Sequence, residues 1–132
     1  MIKKTFDKYL GVTRVSQKKG YCKIKLNLKS EHLNAGGIAH GGVIATLCDI
    51  ALAGAIDGDL KKDEWCVTAQ LNIHFISPAF PGIVFANGRL VKKGNTLAFT
   101  EGEIEDGKKN IIATAKGIWV IKKKKIFKPS DQ

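Results

Sequence analysis

The sequence predicts an α+β domain in which an antiparallel sheet of five or six strands wraps around one long helix. Three observations carry that expectation. The apolar run over residues 40–56 is too long for a typical strand and too short to span a bilayer, so it reads as a helix apolar on nearly every side. Residues 67–75 alternate apolar and polar side chains without a fault, the period of a half-buried strand. Three more strand-like runs follow, separated by turn residues. A helix with no polar face has to be covered on most sides, and a curved sheet does that.

In chain order, residues 3–10 can form a short amphipathic helix. Residues 12–16 and Tyr21–Leu28 then read as two strands around a Lys18-Lys19-Gly20 turn. The second sets Cys22, Ile24, Leu26 and Leu28 against Lys23, Lys25, Asn27 and Lys29, so one face is dry and the other wet. A glycine-bearing loop over residues 30–39 leads into the apolar helix, which Asp57-Gly58-Asp59 stops. A charged loop follows, then the strand over residues 67–75, ended by Pro78 and Pro81 because proline cannot donate to a ladder. The runs 83–92, 96–105 and 110–121 are separated by Lys93-Gly94-Asn95 and by Asp106-Gly107, a dipeptide favoured in tight hairpins. The later half therefore reads as an antiparallel meander. Neither an internal repeat nor a linker marks a second module. The 132 residues are expected to form one domain, with a core over about residues 6–121 and a basic tail over 122–132.

Composition excludes several classes. Hydrophobic residues are 44% and charged residues 26% of the chain, ordinary for a globular protein rather than a disordered or membrane one. Residues 1–7 lack the apolar core of a signal peptide, so the chain reads as cytoplasmic, with no membrane partner. Cys22, Cys48 and Cys66 form an odd set without a C-x-x-C pair and read as reduced thiols of the core. His32, His40 and His74 show no ligand spacing, so neither a metal nor another cofactor is expected. His32 and His74 read as structural or exposed, and Trp65 and Trp119 as packing at strand ends. The formal charge of +10 attracts polyanions of any kind. Much of the excess sits in Lys122-Lys123-Lys124-Lys125, which reads as a solvated tail. With no interleaved aromatics and no recognisable motif, nucleic acid is not the expected partner.

The chemistry concentrates on the apolar helix. His40-Gly41-Gly42 opens it, where the first backbone N–H groups lack intrahelical partners and the dipole's positive end lies. Glycines leave those donors open to close approach, so this start can hold a developing oxyanion or a phosphate, or serve only as a cap. Asp49 is the second signal, because an ionised carboxylate in an apolar helix must reach water or a partner. Gly41 and Asp49 are separated by roughly 12 Å along the axis and about 80° around it, a gap no carboxylate closes. If donors and acid serve one reaction, two subunits must bring them together about a two-fold axis that runs their helices antiparallel. Asn34, in the loop before the helix, can orient a water or carbonyl, or simply hold its turn.

Asn34, then His40-Gly41-Gly42, then Asp49 nine positions after the histidine, resembles the PaaI-type hotdog-fold acyl-CoA thioesterases. The likeness continues through Thr68-Ala69-Gln70-Leu71-Asn72-Ile73-His74-Phe75-Ile76-Ser77-Pro78 and Ala113-Thr114-Ala115-Lys116-Gly117-Ile118-Trp119, covering about residues 6–121. It implies a hotdog fold, a homodimer joined across adjoining edge strands, often a dimer of dimers, and hydrolysis of acyl-coenzyme A thioesters. In the family's terms the Gly41 N–H polarises the thioester carbonyl with His40 and Asn34 beside it. Asp49 of the partner subunit activates water or attacks directly, and Thr68 stands where some relatives have a serine that helps place the water. An oxyanion donor of this kind commonly contributes about 3 to 4 kcal/mol, and a partly desolvated carboxylate is a stronger base than one in water. The phosphates of coenzyme A make Arg89, Lys92, Lys93 and Lys116 candidate ligands, although each also reads as a solvent-facing cation.

Three rival readings stand beside this one: a hotdog protein that binds acyl-CoA without turnover, a hydratase or dehydratase relative, and a basic nucleic-acid module. Asp49 argues against the first, since a pure binder has no use for a desolvated base. The second needs a histidine and an acid meeting at one carbon, whereas His40 is followed by Gly-Gly at a helix start.

Overall fold

The computed structural model describes residues 4–123. Its elements are α1 (Phe6–Leu10), β1 (Thr13–Lys18), β2 (Tyr21–Leu28), α2 (Gly41–Asp57), β3 (Glu64–Phe75), β4 (Gly82–Lys93), β5 (Leu97–Asp106) and β6 (Ile111–Lys123). The strands form one six-stranded antiparallel sheet in the order β1-β2-β4-β5-β6-β3. β4, β5 and β6 are the expected meander, whereas β3 crosses to the far edge and pairs with β6. Among the described residues no helix is long and apolar enough to cross a membrane.

α2 lies in the concave face of the sheet. Ile44, Leu47, Cys48, Ala51, Leu52, Ala55 and Ile56 are buried there against Ile24, Leu26, Val84, Ala86, Ile104 and Trp119. The approach is close enough that a side chain at Gly88 of β4 would run into the backbone of Ala51. Coverage is one-sided, however. Gly42, Thr46, Asp49 and Ala53, spaced three and four apart, form a stripe of α2 that the sheet leaves partly or fully open.

Several sequence expectations shift. Lys122 and Lys123 belong to β6, opposite Trp65 and Glu64, rather than to a solvated tail; residues 124 and beyond lie outside the described residues. Trp119 is not at a strand end: it is 1% exposed, on the inner face of β6, and its Nε1 donates to the Thr100 hydroxyl at 2.8 Å. The Asp106-Gly107 connection is wider than a two-residue hairpin, because the Asp106 carboxylate accepts the N–H groups of Lys108 and Asn110 while Lys109 adopts φ 66°. His32 is structural as expected. Buried, it accepts the Lys29 N–H at Nδ1 and places Nε2 2.8 Å from the Leu10 carbonyl oxygen, which ties the end of α1 to the loop that feeds α2.

Candidate active site

The start of α2 is built around His40. Its extended backbone (φ −60°, ψ 137°) makes it the N-cap, and its Nδ1 accepts the Gly42 N–H at 2.8 Å. The N–H groups of Val43 and Ile44 both donate to the His40 carbonyl, at 2.9 and 3.2 Å. Gly41 is thus left with the one N–H of this first turn that has no partner among the described residues, at the positive end of a 17-residue helix. The two glycines therefore differ in role. Gly41 offers its donor, whereas Gly42 makes room for the histidine cap: a Cβ there would sit 3.0 Å from the His40 Nδ1.

The loop ahead of the cap is held by Asn34. Its Oδ1 accepts the N–H groups of Gly36 at 2.9 Å and Ile38 at 3.4 Å, and its own N–H donates to the Ile38 carbonyl at 2.8 Å. The turn-holding role is thus realised through Oδ1, and the amide nitrogen is what remains for a ligand. A pocket of about 520 Å³ opens between this loop, the helix start and the ends of β3 and β6, lined by Asn34, Gly41, Ile44, Phe75, Ile76 and Ile112 among others. The Phe75 ring borders the open donor, 3.8 Å from where a Cβ on Gly41 would stand.

Asp49 sits on the open stripe of α2, half-buried rather than sealed. Its Oδ1 accepts a hydrogen bond from the Thr68 hydroxyl at 2.8 Å, and its other oxygen has no protein partner among the described residues. A bulge in β3 makes this contact. Thr68 pairs with Trp119 and Gln70 with Ile118, so Ala69 is an extra residue between them. Because Trp119 faces the core, Thr68 does too, and the extra residue then returns Leu71, Ile73 and Phe75 to that same side. The uninterrupted alternation expected over residues 67–75 is therefore broken once, and the break aims a hydroxyl at the acid. The thiols nearby are not competing nucleophiles: burial pushes Cys48 up to about 12 and Cys66 up to about 11.

The structure brings together Asp49 with Thr68, and Gly41 with His40 and Asn34, as two clusters. Eight residues of helix separate them, roughly 12 Å. The basic candidates stand apart from both. Arg89 is forked onto Glu103 at 3.0 and 2.7 Å, and Lys93 pairs with the buried Glu64 at 3.2 Å. Lys92 and Lys116 are exposed with no ion pair among the described residues. Arg89 and Lys116 border a separate depression on the outer sheet face. Sequence reasoning missed Phe75, Ile44 and Ile112 as the flank of the Gly41 donor; two strand ends and a helix turn meet there, and no spacing along the chain signals it.

Residues 36–113 match the family described as the thioesterase superfamily. Over 113 residues, 86% of this chain and 75% of the other, the sequence is 33% identical to a Saccharolobus solfataricus protein provisionally named an esterase. Over 103 residues, 76% of this chain and 73% of the other, it is 33% identical to human acyl-coenzyme A thioesterase 13. The solved PaaI protein of the E. coli phenylacetic acid degradation operon superposes with a TM-score of 0.80, covering 86% of this chain and 81% of that one. Its 23% identity speaks for the fold alone.

Proposed function

The chain belongs to the thioesterase superfamily, with a PaaI-type hotdog fold, and we propose that it hydrolyses acyl-coenzyme A thioesters to the free acid and coenzyme A, at sites shared by two copies of itself. One observation carries this reading. The open Gly41 N–H and Asp49, whose carboxylate Thr68 of β3 holds, lie on one helix, too far apart to meet and both on surface that the described residues do not cover.

A second copy related by a two-fold axis closes the gap. β3 is the free edge of the sheet, twelve residues long and mostly exposed, and it invites pairing with its own copy. The opposite edge, β1, is half that length and carries Arg14 and Lys18, which discourage pairing. Pairing β3 with β3 runs the two α2 helices antiparallel, and the small residues Gly42 and Ala53 on the open stripe allow a close approach. Each Gly41 donor then faces Asp49 of the partner subunit.

At such a site the thioester oxygen accepts the Gly41 N–H, which stabilises the negative charge that gathers there as the carbonyl carbon becomes tetrahedral. Asp49 either takes a proton from water as the water oxygen bonds to that carbon, or bonds to it directly, giving a mixed anhydride that water then cleaves to the free acid and the restored carboxylate. Collapse breaks the C–S bond, and the leaving thiolate takes a proton. Thr68 holds one carboxylate oxygen and leaves the other for the reaction. Lys92 and Lys116, without an ion pair among the described residues, are the best suited of the basic candidates to meet coenzyme A phosphates. Three free cysteines suit a reducing, cytoplasmic setting.

Replacing Asp49 with alanine is expected to lower thioester turnover at least about a hundredfold while the circular dichroism spectrum stays that of the parent. An unchanged rate removes Asp49 from the reaction. For the dimer of dimers, the supporting feature is an apolar belt on the outer sheet face, where Trp65, Val67, Val91, Leu97 and Phe99 remain 38–60% exposed. A Phe99→Glu variant should have half the native mass of the parent; equal masses would place that contact elsewhere.

A further inference from the structure

We infer that Phe75 selects the acyl group, favouring thioesters whose acyl group lays an apolar chain or ring against it. The inference rests on the thioesterase reading and names the substrate class of that same site.

A carbonyl bonded to the Gly41 N–H must place one of its two substituents along the pocket of about 520 Å³ beside it. That volume is ample for a medium-length alkyl chain or a single aromatic ring. Its walls next to the donor are Ile44, Phe75, Ile76 and Ile112, and the polar side chains on its lining are only Asn34 and Ser77. Asn34 has already committed its oxygen to its own loop. The pantetheine arm, with its two amides, fits such walls poorly; an apolar acyl group fits them well.

Phe75 and Ile76 are 59% and 57% exposed in one chain. Large apolar side chains held in water next to an open donor gain most when an apolar group covers them. An acyl group too short to reach these side chains forgoes that gain, a difference worth about tenfold in kcat/KM.

Release of thiol from hexanoyl-CoA and from acetyl-CoA, by the parent and by Phe75 variants, tests this directly. The parent should favour hexanoyl-CoA at least about tenfold. Phe75→Ala should lower kcat/KM for hexanoyl-CoA at least about fivefold more than for acetyl-CoA, and Phe75→Leu should largely restore it. Equal parental rates for the two thioesters, or equal losses from Phe75→Ala, overturn the inference while leaving the thioesterase intact. Should no acyl-CoA be hydrolysed, the thioesterase reading falls. Titration of Asp49→Ala with hexanoyl-CoA then decides the pocket by itself: Phe75→Ala must weaken that binding, and an unaltered affinity overturns the inference.

Discussion

Thr68 holds one oxygen of Asp49 through a hydroxyl that valine, of nearly the same shape, lacks. A hydrogen bond to a charged group is worth about 1.5 to 3 kcal/mol, and here it fixes which carboxylate oxygen is free. Thr68→Val should therefore lower kcat about tenfold or more, with KM and thermal stability near the parent's, since valine suits a strand. A variant with parental kcat would reduce Thr68 to a strand residue. His40 and Asn34 act one step further back: the first caps α2 through Nδ1 and the second shapes the loop through Oδ1, so both determine how the Gly41 N–H is presented.

At the scale of elements, both helices and all six strands were legible in the sequence because their side-chain periods differ and turn residues separate them. Three features were not. The β3 bulge is invisible because Val67, Ala69 and Leu71 read as apolar on either side of the break, so the pattern is the same with or without an extra residue. The crossing of β3 to the far edge escapes for a related reason: alternation says which face a strand buries, not which neighbour it takes. The clamp that seats β3 was likewise unreadable. Glu64, at its first residue, accepts the Lys61 N–H at 2.9 Å and pairs with Lys93 of β4 and Lys123 of β6 at 3.2 and 3.7 Å. The Lys61 backbone donor first, and Lys93 after it, hold the Glu64 carboxyl below its ordinary value of 4.5. A carboxyl depressed in the folded state contributes stability that is present above the unfolded value and is lost as pH falls through the folded one. Melting temperatures taken from pH 7 down to pH 3 should show Glu64→Gln less stable than the parent at neutral pH, with the difference shrinking below about pH 4.5. Parallel curves across that window would mean the clamp adds nothing.

At the scale of the whole molecule, one chain presents an apolar helix covered on one side, a long free strand edge, and a donor and an acid too far apart on that helix to meet. The separation of Gly41 from Asp49 was legible from helix geometry alone; which surface would join two copies was not, because it depends on β3 ending at the edge. A mixed dimer separates the shared site from any single-chain alternative. Gly41→Pro removes the open N–H with little strain: the first helical position tolerates proline, and His40 already has the extended backbone that a residue before proline prefers. Asp49→Ala removes the acid. Each variant alone should be nearly inactive. In a dimer of one with the other, the site built from the intact Gly41 of one chain and the intact Asp49 of the other is whole, and the second site lacks both groups. Random exchange at equal concentrations makes half the dimers mixed, each with one working site of two, so the pool should recover about a quarter of the parental rate. If mixed dimers form, as native mass can establish with one variant tagged, and the pool stays as inactive as its parents, the donor and the acid do not work across two chains.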